Sequence, residues 1–269
     1  MKHKDWLTAL VFSYDGLYLA SSSYDGFVSL WAVDTEEKID SFSRGSIAHS
    51  VDLNSNGTLI AAGFYKIATV IQFPSFKRLC DYWYGDRVWS LVFSPDGELL
   101  ATGTHTISVW NLLTGRTVFT ASRLPSIFSL AFSPDGRYLA AGCEYNLVKI
   151  WNIITGEVVA EFHQEGWVYS VEFSPDGRYL AVGGDKGFLD VYDWQRKKLV
   201  TKTRVPNFDI GAITWNSRFL VYVDRTKLVS NFVELHHDKI IKVRQSRRGF
   251  LALGYKDGKI EIIREGKEL

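Results

Sequence analysis

Leu91–Gly103 reads LVFSPDGELLATG. Val92, Phe93, Leu99, Leu100 and Ala101 are apolar on either side of Pro95-Asp96-Gly97. Proline pre-sets φ at the first corner of a turn, aspartate bonds its own backbone, and glycine accepts a positive φ. The stretch predicts a strand, a reversal and a second strand. Near-copies follow at Leu130–Gly142 (LAFSPDGRYLAAG) and Val171–Gly183 (VEFSPDGRYLAVG), and weaker ones precede it at Leu10–Ser22 and Val51–Gly63. The turn glycines Gly16, Gly57, Gly97, Gly136 and Gly177 are spaced by 41, 40, 39 and 41 residues. Self-similarity at that period marks a repeat architecture.

Each unit can bury its faces only against its neighbours, so the 269 residues are expected to form one domain, 1–269. Hydrophobic residues make up 46% of the chain, ample for a core, yet no apolar run is long enough for a membrane span. The start, MKHKDWLTALVFSYDG, lacks the apolar segment of a secretory signal. Cys80 and Cys143 are too few for a disulfide framework or a thiolate zinc site. A cytoplasmic, reducing location is expected. Charge is uneven within a net of +1: residues 1–194 hold 14 Lys and Arg against 22 Asp and Glu, and residues 195–269 hold 17 against 8.

Every full unit divides into four short strands, here a to d. In the third they are Val88–Ser94, Leu99–His105, Ile107–Leu112 and Thr117–Arg123. Strands a to c are apolar on both faces, as in stacked sheets. Strand d is polar and suits an outer edge. No helix of ordinary length is legible, so the fold class is all-β. Strand c closes on Trp31-Ala32, Trp110-Asn111, Trp151-Asn152 and Tyr192-Asp193. Together with the Ser-Pro-Asp-Gly turns and the Leu-Ala-x-Gly strands, these residues resemble the WD-repeat family of β-propellers. The resemblance implies four-stranded blades around a central channel lined by strand a.

Departures from the family pattern are visible too. Its Gly-His pair before strand a is absent, and the aspartate of the b–c turn occurs only as Asp25 and Asp257. The Asp–His–Ser/Thr–Trp network that the resemblance implies is therefore expected in no blade. In the last third, 210–216, 219–225 and 227–234 read as strands a to c of a sixth unit, and 239–246, 250–255 and 259–265 as those of a seventh. A seven-bladed propeller with its last two blades abbreviated is expected, with six blades as the alternative. Neither end of the sequence offers an obvious strand to complete the ring.

The histidines form no His-Glu-x-x-His or His-x-His spacing, so no metal site or cofactor is expected. No Gly-x-Ser-x-Gly elbow or phosphate loop occurs. Asp96, Asp135 and Asp176 recur in equivalent turns of different units and are read as structural. The chain is expected not to be an enzyme.

Loops on a rigid scaffold are where binding concentrates, and Tyr, Trp and Arg dominate protein interfaces. The b–c turns and d–a connections of one rim supply Trp6, Tyr24, Tyr65, Lys66, Tyr84, Arg87, His105, Arg123, Tyr145, Trp167, Phe208, Arg225, Tyr255 and Lys256. A basic patch is drawn from Arg196, Lys197, Lys198, Lys202, Arg204, Lys239, Lys242, Arg244, Arg247 and Arg248. The leading expectation is a non-enzymatic scaffold presenting this rim to other proteins. A partner strand could also add to the abbreviated units. The rival is an RNA- or nucleic-acid-binding accessory subunit using the basic C-terminal region. A metal-dependent propeller hydrolase is the third reading, opposed by serine and alanine (Ser90, Ser129, Ser170, Ala9, Ala212) where channel carboxylates would be needed.

Overall fold

The computed structural model describes residues 1–204, 210, 212–215, 220–224, 227–229, 234–236, 240–245, 250–255 and 257–264. Among them, seven antiparallel sheets form, six of four strands and one of three. Sheet one holds β1 (Leu7–Phe12), β2 (Tyr18–Ser23), β3 (Phe27–Ala32) and β4 (Lys38–Ser43). Sheet two holds β5 (Ser50–Leu53), β6 (Leu59–Gly63), β7 (Tyr65–Gln72) and β8 (Lys77–Arg87). Sheet three holds β9 (Ser90–Phe93), β10 (Leu99–Gly103), β11 (Ile107–Asn111) and β12 (Thr117–Ala121). Sheet four holds β13 (Ile127–Phe132), β14 (Tyr138–Cys143), β15 (Leu147–Asn152) and β16 (Val158–His163). Sheet five holds β17 (Val168–Phe173), β18 (Tyr179–Gly184), β19 (Phe188–Asp193) and β20 (Lys198–Arg204). Sheet six holds β21 (Ala212–Trp215), β22 (Leu220–Asp224), β23 (Lys227–Val229) and β24 (Glu234–His236), and sheet seven β25 (Ile240–Gln245), β26 (Phe250–Tyr255) and β27 (Ile260–Arg264). The first strand of each sheet packs on the first strand of the next, and β1 packs on β25. The arrangement is that of a β-propeller.

The repeated turn explains its own sequence. Ser94 Oγ donates to Asp96 Oδ1 at 2.5 Å and accepts the Leu99 N–H at 2.9 Å. Asp96 accepts the Glu98 N–H at 3.0 Å, and Gly97 takes φ 77°. The same bonds recur at Ser13–Asp15, Ser133–Asp135 and Ser174–Asp176. In sheet two Asn54 Oδ1 accepts the N–H groups of Thr58 and Leu59, and Asn56 Oδ1, in the place of the aspartate, also accepts the Thr58 N–H at 3.0 Å. These aspartates are turn residues, engaged locally.

Burial follows strand order. β14 is buried from Leu139 to Cys143, whereas β20 is exposed along its whole length. The glycine of each Leu-Ala-x-Gly strand marks where sheets meet. A Cβ on Gly103 would lie 2.7 Å from Ile127, one on Gly142 2.5 Å from Val168, and one on Gly183 2.6 Å from Ile210. Only a residue without a side chain lets the opening residue of the next sheet seat there. Stacking of Tyr82 on Trp110 at 4.3 Å and of Phe162 on Tyr192 at 4.2 Å fills the outer core.

Three expectations are corrected here. Sheet six is not abbreviated, because Glu234–His236 pairs with Lys227–Val229 as its fourth strand. Sheet seven has three strands of its own, but the start of the chain joins it: Lys2 bridges Lys259, the His3 N–H bonds Gly258 O at 2.9 Å, and the Ile260 N–H bonds Met1 O at 3.1 Å. The edges invoked for strand addition are thus occupied in sheet six and partly covered in sheet seven.

The third correction is the Asp–His–Ser–Trp network, which sheet one possesses. His3 Nδ1 bonds Asp25 Oδ2 at 3.0 Å, its Nε2 bonds Ser21 Oγ at 2.7 Å, and Trp31 Nε1 donates to Ser21 Oγ at 2.7 Å. The Nδ1–H tautomer satisfies every member, with Ser21 donating to Nε2. Burial lowers the His3 pKa against the opposing pull of Asp25. Asp25 is held below the usual carboxylate range: burial opposes its charge, and hydrogen bonds from the Lys4 and Phe27 N–H groups, together with His3, outweigh it.

Candidate functional site

His3 stands four residues before the buried residue that opens strand a, Leu7. The same position in later sheets carries other chemistry that reaches inward. Arg44 bonds Asp81 at 2.9 Å, and Asp81 also accepts from Thr69 at 2.8 Å. Tyr84 OH bonds Thr102 Oγ1 at 2.7 Å and accepts the Trp110 indole N–H at 2.9 Å. Gln164 Nε2 donates to the carbonyls of Val182 and Phe188, both at 3.0 Å. These bonds anchor the d–a connections, and the anchored connections set the rim.

Below the rim, the first strands of sheets one to five enclose a cavity of about 360 Å³. Neighbouring first strands are tied by serine rather than by a ladder. Ser90 Oγ accepts the Leu130 N–H at 3.0 Å, Ser129 Oγ the Val171 N–H at 3.1 Å, and Ser170 Oγ the Ile213 N–H at 3.1 Å. Ser50 instead donates to Val88 O at 3.1 Å. Asp52 and Glu172 lie one inward-facing position further along their strands and also line the cavity. Asp52 accepts the Phe93 N–H at 2.7 Å.

Immediately before each of these serines stands an aromatic residue: His49, Trp89, Phe128 and Tyr169. Their rings form a continuous arc at the mouth of the cavity. His49 lies 4.9 Å from Trp89, Trp89 5.9 Å from Phe128, and Phe128 5.8 Å from Trp167 and 5.4 Å from Tyr169. The Arg87 guanidinium caps Trp89 at 5.3 Å. Burial, with help from the Arg87 charge, takes the His49 pKa down to about 4, so the arc carries a neutral imidazole at pH 7.

Several sequence-predicted rim residues are exposed around this arc. Trp6 and Tyr24 meet edge to face at 6.2 Å, with 51% and 45% of their surface exposed. Trp167 and Tyr145 are exposed, and Tyr65 carries the Lys66 ammonium 5.1 Å over its ring. His105 pairs with Asp86 at 3.4 Å, and Arg123 is exposed. Two residues are corrected. The Tyr84 hydroxyl is engaged inside sheet three, where burial pushes its pKa up to about 12. Tyr255 is buried and bonds Glu261. Phe208, Arg225 and Lys256 lie outside the described residues.

The basic patch divides. Lys197 and Lys198 are exposed, Arg196 pairs with Asp193 at 3.3 Å, and Lys202 pairs with Glu165 at 3.2 Å. The cations of Lys202 and Arg204 also lie over Phe188, at 4.4 and 5.2 Å. Lys242 and Arg244 belong to an innermost strand, β25. They pair with Gly254 and Ala252 as Ser170 and Glu172 pair with Gly183 and Ala181. Lys239, Arg247 and Arg248 lie outside the described residues. Among the described residues, no three His, Cys, Asp or Glu side chains gather as a metal site, and no helix is long and apolar enough to cross a membrane.

Sequence reasoning named Trp167 and Arg87 but not His49, Trp89, Phe128 or Tyr169. The signal was present as an aromatic–serine pair repeating at intervals of 40, 39 and 41 residues. It also passed over Trp83, which projects from β8 with 73% of its surface exposed.

Comparison with known proteins agrees with this geometry. The model of the WD domain, G-beta repeat, matches residues 1–32 and 156–193. That of the anaphase-promoting complex subunit 4 WD40 domain matches residues 91–166. WD repeat-containing protein SL1-17 of Schistosoma mansoni is 41% identical over 59 residues, which is 21% of this chain and 20% of that protein. The match thus spans about a fifth of the relative's length. The chain belongs to the WD-repeat family, whose repeats generally mediate protein–protein interaction.

Proposed function

We propose that this chain is a non-enzymatic adaptor: a closed, seven-bladed ring that binds another protein at the mouth of its channel. The carrying observation is the aromatic arc His49–Trp89–Phe128–Trp167, built on serine-tied strands and ringed by exposed Trp6, Tyr24, Tyr65 and Tyr145. Rigid aromatics bring a large contact area at low conformational entropy, which suits them to interfaces. The carboxylates of the cavity support no catalytic pair, since Asp52 and Glu172 stand in different sheets and Asp52 is engaged by the Phe93 N–H. A cytoplasmic location fits the two cysteines, Cys80 and Cys143, both free thiols.

The test is affinity capture from cells making the tagged chain, wild type beside Trp167→Ala and Trp6→Ala. Proteins captured by the wild type and lost from both variants support the reading. An unchanged set of proteins, or substrate turnover by the purified chain, overturns it. Nucleic-acid binding is the second reading, favoured by the exposed strand β20 with Lys198, Lys202 and Arg204. Phosphate contacts release counterions, so that reading requires affinity to fall steeply with salt.

A further inference from the structure

We propose that the channel mouth receives a proline-rich segment of the partner protein, in the extended polyproline II conformation. This rests on the adaptor reading and specifies the occupant of the same site.

The argument begins with hydrogen-bond supply. Ser90, Ser129 and Ser170 each use Oγ as an acceptor for the next sheet, and their hydroxyl hydrogens have no acceptor among the described residues. The indole N–H groups of Trp89 and Trp167 likewise have none there. Among the described residues the mouth is therefore rich in hydrogen-bond donors. A proline-rich segment is their complement, because proline keeps its carbonyl acceptor and has no N–H. Polyproline II leaves all those carbonyls outside any internal hydrogen bond.

Shape and charge point the same way. Flat aromatic faces accept pyrrolidine rings, and a segment already extended loses little entropy on docking. The ring-to-ring steps from His49 to Trp167 are 4.9, 5.9 and 5.8 Å. Those steps run around a curve, so the straight span that a polyproline II segment at ~3.1 Å per residue has to cross is shorter than their sum. The arc itself is uncharged, with His49 neutral, and the Arg87 guanidinium already covers Trp89. A strongly cationic guest would meet Arg87 at the lip, and a strongly anionic one would meet Asp52 and Glu172 one layer down. A neutral, acceptor-rich segment meets neither.

Fluorescence anisotropy with labelled ten-residue peptides decides the matter, using oligoproline, a Gly-Ser repeat and an arginine-rich sequence. Oligoproline should bind at least tenfold more tightly than the other two. Trp167→Ala and Phe128→Ala should each weaken it about tenfold, and Trp83→Ala on the outer edge should leave it unchanged. Circular dichroism melts identify any variant that unfolds, and Trp167→Phe, which keeps the ring but removes the indole donor, should show an intermediate loss. Oligoproline binding no tighter than the Gly-Ser repeat, preference for the arginine-rich peptide, or indifference to Trp167→Ala overturns the proposal. If oligoproline fails while cellular partners still depend on Trp167, the adaptor reading stands and only the occupant falls.

Discussion

His3 and Asp25 are bonded through Nδ1 at 3.0 Å, although one belongs to the segment lying against sheet seven and the other to a turn of sheet one. The pair therefore fastens the first sheet to the segment that lies against the last. Ser21 and Trp31 continue the same chain of bonds into the core. Its members are mutually satisfied, and removing His3 takes one buried bonding partner from Asp25 and one from Ser21.

His3→Ala should thus destabilise the protein by about 2 kcal/mol, the penalty of orphaning buried polar groups. For a chain of this size that lowers Tm by roughly 4–8 °C. Lys4→Ala, at an exposed neighbour, should change Tm by less than about 2 °C. Calorimetry of the three proteins checks this, and equal melting of His3→Ala and wild type would contradict it.

Stability should fall in mild acid. Both His3 and His49 have lowered pKa values in the fold, chiefly through burial, so the folded state binds fewer protons than the unfolded one. The stabilisation is fully present above the unfolded histidine value of about 6.5 and is lost as pH falls towards the folded value. For His49 that window runs from about 6.5 down to about 4. Within that window the slope for His49 approaches about 1.4 kcal/mol per pH unit. Urea midpoints measured across this range should decline less steeply for His49→Gln than for wild type.

Gly142→Ala should destabilise by about 1–3 kcal/mol, because the added methyl would lie 2.5 Å from Val168 in the next sheet. Gly85 has open space around it, so Gly85→Ala should be close to neutral. Denaturant titration of both variants measures the contrast.

Ser129→Ala removes the acceptor for the Val171 N–H, a bond between sheets rather than within one. The expected destabilisation is about 1–3 kcal/mol, with faster hydrogen exchange at the Val171 amide. Exchange unchanged at Val171 would mean that the serine tie contributes nothing.

The repeat was legible because its turn is self-contained: Ser94, Asp96 and Gly97 satisfy one another locally, so their spacing survives in the sequence. The network in sheet one was not, because His3 comes from the far side of the closure and follows Lys2 rather than glycine. Its counterparts Arg44, Tyr84 and Gln164 reach inward with unrelated chemistry, which no single motif describes. The fourth strand of sheet six was missed since Glu234–His236 is three residues long and carries no alternation. At the mouth, His49, Trp89, Phe128 and Tyr169 gained meaning only when the ring placed four aromatic–serine pairs side by side.

The bonds between Met1–His3 and Gly258–Ile260 also bear on how the protein is made. Synthesis is vectorial, and early modules fold as they emerge from the ribosome. Here the opening residues must wait for a partner that is translated more than 250 positions later. Until then the nascent chain is an arc with an unpaired edge.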